Sequence, residues 1–167
     1  MLLVVTAAGV GSVTAPRTVL AISPLDSFTD IINNTLPAAD NVQHDISFIL
    51  PPDAEQVTPS DWILINLPNY SQITVPYQLV GSYGNPIMTV VGTTLEITNI
   101  ALLPGTRFEL LGTTAENPKS QSGFEVIASI ATGSATGLIR NQSTTVAGPG
   151  NSFISVSATV DSPLASL

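Results

Sequence analysis

Residues 42–50 read Val-Gln-His-Asp-Ile-Ser-Phe-Ile-Leu. Val42, His44, Ile46, Phe48 and Leu50 fall on one side of an extended chain, and Gln43, Asp45 and Ser47 on the other. Successive side chains of a strand point to opposite faces, so this stretch predicts a half-buried β-strand. Pro51-Pro52 stops it, because proline has no amide N–H to give to a ladder.

The same period recurs along the chain. In DWILINLP (61–68), Ile63, Ile65 and Leu67 share one face, opposite Trp62, Leu64 and Asn66. A strand is expected near Tyr77–Val80, two around Gly92, and one carrying Phe108 and Leu110. FEVIASIA (124–131) puts Phe124, Val126, Ala128 and Ile130 together; NSFISVSATV (151–160) does so with Ile154, Val156, Ala158 and Val160. GLIR (137–140) and TTV (144–146) read as a short edge hairpin, and Gly112–Gly123 as a surface loop whose turn starts at Asn117-Pro118. Residues 23–40 fit a capping box (Ser23, Asp26) followed by helical spacing. Thr29, Ile31, Ile32 and Asn33-Asn34 are poor helix formers, which favours a short strand. The sum is an all-β, antiparallel, Ig-like Greek-key sandwich of eight to ten short strands.

Composition agrees. Of 167 residues, 44% are apolar and only 10% charged, with 12 Gly and 13 Pro to make turns. The net charge is −8, and the four cations (Arg17, Arg107, Lys119, Arg140) are scattered. Nucleic-acid binding needs clustered Lys and Arg against phosphates, so no nucleic-acid partner is expected. The absence of cysteine removes disulfides and thiolate chemistry.

The first 21 residues, MLLVVTAAGVGSVTAPRTVLA, open with an apolar run from Met1 to Ala15. It is shorter than the roughly 20 residues that span a bilayer. Val19 and Ala21 have the spacing a signal peptidase reads. The expectation is a secretory signal over 1–21, cut after Ala21, although no basic residue precedes the apolar run. The rival readings are a strand of the protein's own fold and a donor strand for a neighbouring subunit. The expected division continues with an N-terminal strand and linker (22–41), the sandwich (42–161) and a tail (162–167) that is a candidate linker to a further domain.

Several stretches, in order, carry a resemblance. They are Thr29-Asp30, Asn34-Thr35-Leu36, Ala38-Ala39, then His44, Ile46 and Phe48. WILINLP, ELLGTTAENPKSQSGFEV and ISVSATVDSPL follow. Together, over about residues 27–163, they resemble Ig-like surface domains of large secreted proteins of candidate-phylum (Patescibacteria-like) bacteria. Leu67 stands where that pattern has Phe. The resemblance implies a secreted, cell-surface sandwich module with neighbouring domains or envelope components as partners. It implies no cofactor and no chemistry.

Residues capable of chemistry are few. His44 is the single histidine, and its place on the apolar face predicts a structural role, capped by a backbone group. No Gly-x-Ser-x-Gly turn is present for a Ser-His-Asp triad. The carboxylates are spread along strand edges and loops. Asp53, Glu55 and Asp61 crowd one connection, the arrangement oxygen ligands of Ca²⁺ take, but lack the Asp-x-Asp-x-Asp-Gly spacing. No catalytic residue, metal site or cofactor is therefore assigned. Trp62, Tyr70, Tyr77 and Tyr83 are the candidates for a glycan-binding aromatic platform, the tyrosines because they lie near Pro and Gly turns; packing in the core or at its rim is the favoured reading of all four. The expected function is a non-enzymatic structural or spacer module, with an adhesin or a donor-strand-linked filament subunit as alternatives.

Overall fold

A computed structural model describes residues 22–76 and 78–149. Ten strands form two five-stranded sheets. They are β1 (Asp26–Ile32), β2 (Val42–Ile49), β3 (Trp62–Asn66), β4 (Gln78–Val80), β5 (Gly84–Val91), β6 (Thr94–Ile100), β7 (Arg107–Ala115), β8 (Glu125–Thr132), β9 (Leu138–Val146) and β10 (Gly148–Pro149). One sheet has the order β10-β1-β2-β7-β4 and the other β5-β6-β3-β8-β9. All neighbours are antiparallel except β1 and β10. No α-helix occurs among the described residues; a single 3₁₀ turn spans Gln121–Gly123.

The alternation predicted for residues 42–50 holds: Val42, His44, Ile46, Phe48 and Leu50 are all buried. Both sheets supply the core. Phe28, Ile32, Ile46, Phe48 and Phe108 come from one, and Ile63, Ile65, Leu95, Ile97, Val126 and Ile130 from the other. Phe48 and Phe108 are directly opposed across β2 and β7, with ring centroids 4.8 Å apart. The two largely antiparallel sheets make an all-β sandwich. The β5–β6 hairpin extends the second sheet beside β3.

The short strand expected within residues 23–40 is β1, which lies between β2 and β10 as an internal strand. Two local readings change. GLIR and TTV are not two arms of a hairpin but parts of one strand, β9. The polar Asn141-Gln142-Ser143 between them is spent on the segment entering β1. Ser143 Oγ accepts from the Leu25 N–H at 2.8 Å, and the Gln142 N–H donates to the Ser23 carbonyl at 3.1 Å.

Finally, Gly112–Ala115 is not loop; β7 runs to Ala115. Gly112 (φ 76°) is the extra residue of a β-bulge opposite His44 and Asp45, and Asp45 Oδ1 accepts its N–H at 3.1 Å. A glycine there takes a positive φ without Cβ strain, so the strand bends and continues. The expected strand at 151–160, the signal at 1–21 and the tail at 162–167 lie outside the described residues.

Candidate functional site

The deepest polar group in the sandwich is a carboxylate–imidazole pair. Asp30 follows the inward alternation of β1, between Phe28 and Ile32. His44 does the same on β2. Asp30 Oδ2 and His44 Nδ1 are 2.7 Å apart, and both side chains are fully shielded from solvent. His44 is thus structural as expected, but its partner is a carboxylate and not a backbone group. The Tyr70 ring packs edge-on against the imidazole with centroids 4.9 Å apart, and Phe124 packs edge-on to Tyr70 at 6.0 Å. Burial, with the Asp30 charge as a second cause, pushes the Tyr70 hydroxyl far above the usual tyrosine range. Thr113 is the cross-strand neighbour of His44. Asp30 Oδ1, His44 Nε2, Tyr70 OH and Thr113 Oγ1 are all buried without a hydrogen-bond partner. Such a group ties β1, β2 and the Tyr70 segment together, and no solute reaches it.

A second cluster joins β9 to the β2–β3 connection. The Arg140 side chain is 8% exposed; it donates to Asp61 Oδ2 and to Glu55 Oε2, each at 3.1 Å, and to the Gln56 carbonyl at 3.3 Å. Asp61 Oδ2 also accepts the Thr58 N–H at 2.8 Å, capping the turn before β3. Two of the three carboxylates considered for calcium are therefore engaged by one guanidinium. No group of three or more His, Cys, Asp or Glu placed to hold a metal occurs among the described residues.

Two surface grooves lie among the described residues. One, of about 470 Å³, is lined by Val80, Gly81, Tyr83, Leu103, Arg107 and Glu109 among others. Tyr83 forms its floor and is only 6% exposed. The other, of about 460 Å³, is polar, lined by Asn69, Ser71, Glu116, Asn117, Pro118 and Lys119 among others. Glu116 Oε2 accepts from Ser71 Oγ at 2.7 Å and from Gln72 Nε2 at 2.8 Å, and these bonds hold its carboxyl below the usual glutamate range. Asn117 is buried, and its Nδ2 donates to the carbonyls of Asn34 and Leu36, each at 2.9 Å. The Asn117-Pro118 turn thus pins the β1–β2 connection.

Tyr70 and Tyr83 follow the favoured reading of core packing and do not assemble the alternative aromatic platform. Both belong to the core, at 3% and 6% exposure, because each ring fills space between the sheets that the nearby turn leaves open. Tyr77 lies outside the described residues. Trp62 is half-buried on the outward side of its sheet. Sequence reasoning missed the Asp30–His44 pair, although a signal existed: two ionisable residues interrupt the apolar faces of consecutive strands. Arg140 gave no such signal. No protein-family model, curated protein or solved structure matches the chain.

Proposed function

We propose that this protein is a non-enzymatic module of a secreted or cell-surface protein, of the Ig-like kind its sequence resembles. Its work is to fold, to resist proteolysis and to hold neighbouring parts apart. The observation that carries the reading is where the buried polar groups go. Asp30 with His44 joins strand to strand, and Arg140 with Asp61 joins β9 to the β2–β3 connection, beneath the surface instead of opening into a cleft. A catalytic constellation needs its acid, base or nucleophile within reach of substrate. The short apolar segment at Met1–Ala15 suits an exported chain.

Expression of the full chain in an export-competent bacterium tests this. The expected result is extracellular or periplasmic material beginning at Ile22 and resistant to protease. Cytoplasmic retention with Met1 intact would overturn the assignment. An adhesin role is tested separately by glycan-array binding of the purified protein, with the polar groove at Ser71, Glu116 and Lys119 as the place to mutate.

A further inference from the structure

We infer that strand β5 is a self-pairing edge, and that two copies of this chain join antiparallel along it about a two-fold axis through Thr89. The other described edges are short or engaged. β4 has three residues and β10 two. The β9 edge is met by Ser23, whose N–H donates to the Arg140 carbonyl and whose carbonyl accepts from Gln142. Among the described residues β5, eight residues long, pairs only with β6 and ends its sheet.

The hydrogen-bond parity of β5 fixes the register. Val91 and Thr94 flank the two-residue turn Gly92-Thr93, with Gly92 at φ 61°. The residues closing such a turn exchange both backbone bonds, and bonded pairs then alternate along an antiparallel ladder. Val91, Thr89 and Ile87 therefore spend their amides and carbonyls on β6. Met88 and Val90 direct theirs outward. Pro86 has the same parity but no N–H, so the pairing edge starts after it. One arrangement satisfies all the free groups: Met88 opposite Val90 of the second copy, Val90 opposite Met88 of the second copy, and Thr89 opposite its own counterpart.

The side chains obey the same symmetry. Ile87 and Val91 are 57% and 58% exposed on the outer face, and this register sets each against the other across the seam. The inward-facing Met88 and Val90, partly buried against the core, are likewise set against one another. Charge permits the approach. The chain carries −8, yet Gly84–Val91 contains no charged residue. The nearest carboxylate across from Thr89 is Glu96 on β6. Its counterpart in the second copy stands three strand spacings away, about 14 Å, beyond the screening length of about 8 Å at physiological salt. Natural sheets usually blunt a free edge with Lys, Pro, a bulge or a short strand; β5 carries Pro86 and a bulge between Gly84 and Ile87, and the stretch Ile87–Val91 beyond them is regular and free of Lys and Pro. A seam of five residues a side is smaller than the roughly 1,200–2,000 Å² of stable interfaces, so the dimer dissociates on dilution. The contact is isologous, so it stops at two copies.

The test uses the full chain, which has no cysteine of its own. Sedimentation of the unmodified protein should show the mass rising with concentration towards twice the monomer's. Thr89→Lys, at an exposed position beside Glu96, should keep the fold by circular dichroism and abolish the rise. Under mild oxidation Thr89→Cys should cross-link to itself. Ile87→Cys and Val91→Cys should not cross-link alone, but should do so when mixed. A monomer at every concentration would overturn the proposal, as would cross-linking that does not centre on residue 89. So would Met88 and Val90 amides protected from exchange in dilute monomer, which would mean that another segment, such as 151–160, already fills the edge.

Discussion

The Tyr83 hydroxyl donates to the Arg107 carbonyl at 2.7 Å, at the point where β4 has ended at Val80 but β7 continues to Arg107. A tyrosine thus supplies the hydrogen bond that a longer β4 would have given. Gly81 makes room for it: its φ is 129°, and a Cβ there would collide with the Tyr83 ring. Tyr83→Phe should cost about 0.5–1.5 kcal/mol, the usual loss for one hydrogen bond. Gly81→Ala should cost about 1–3 kcal/mol from backbone strain alone, with the ring collision added. Urea unfolding of both variants checks the order; an unchanged Gly81→Ala protein would contradict it.

Phe48→Ala should destabilise by roughly 3–5 kcal/mol, because a buried aromatic leaves a cavity the core cannot close. Phe48 is 1% exposed and stacked on Phe108. A loss below about 1 kcal/mol in denaturant titration would mean that the pair is not a core contact.

Asp30→Ala leaves a fully buried imidazole without its carboxylate. Removing one member of a buried pair costs about 3–5 kcal/mol, and that loss is expected in thermal and urea unfolding. The paired change of Asp30 and His44 to apolar residues of similar size should recover part of it, since both desolvated groups disappear together. A double variant no better than Asp30→Ala would show that the pair is not the source.

Arg140 holds one shielded and one solvent-facing carboxylate: the side chains of Asp61 and Glu55 are 6% and 68% exposed. Arg140→Met should therefore be severe, about 3–5 kcal/mol, by stranding Asp61. Glu55→Ala should cost less than about 1 kcal/mol, as exposed ion pairs do. Equal effects would refute the asymmetry.

Glu116 gives a pH dependence with a fixed sign. Hydrogen bonds from Ser71, then Gln72, favour its ionised form and lower its folded pKa below the ordinary 4.5. Its contribution is present above 4.5 and is lost as pH falls through the lower folded value. The stability difference between the unmodified chain and Glu116→Gln should shrink as pH is taken below 4.5. A difference that stays constant between neutral pH and pH 3 would remove the role given to these bonds.

In 42–50, 61–67 and 124–131 the amino-acid sequence determined by itself that the residues would be strands and which of their faces would be buried. Period-2 alternation there follows from strand geometry alone, and turn chemistry at Pro51-Pro52 and Gly92 follows from φ. It also limited chemistry by composition, through a single histidine, no cysteine and four scattered cations. What it did not contain was pairing between distant residues. Asp30 meets His44, Arg140 meets Asp61, and Ser143 meets Leu25 only because the sheets bring together positions far apart in the chain. The tyrosines show the same limit. A Pro- or Gly-flanked aromatic looks exposed locally, yet Tyr70 and Tyr83 fill the core, because the space between two sheets is defined by both sheets at once. Gly112 read as the start of a loop, since glycine favours a positive φ in a turn and in a bulge alike; only β2 alongside it, with the Asp45 carboxylate to take its amide, made it a bulge.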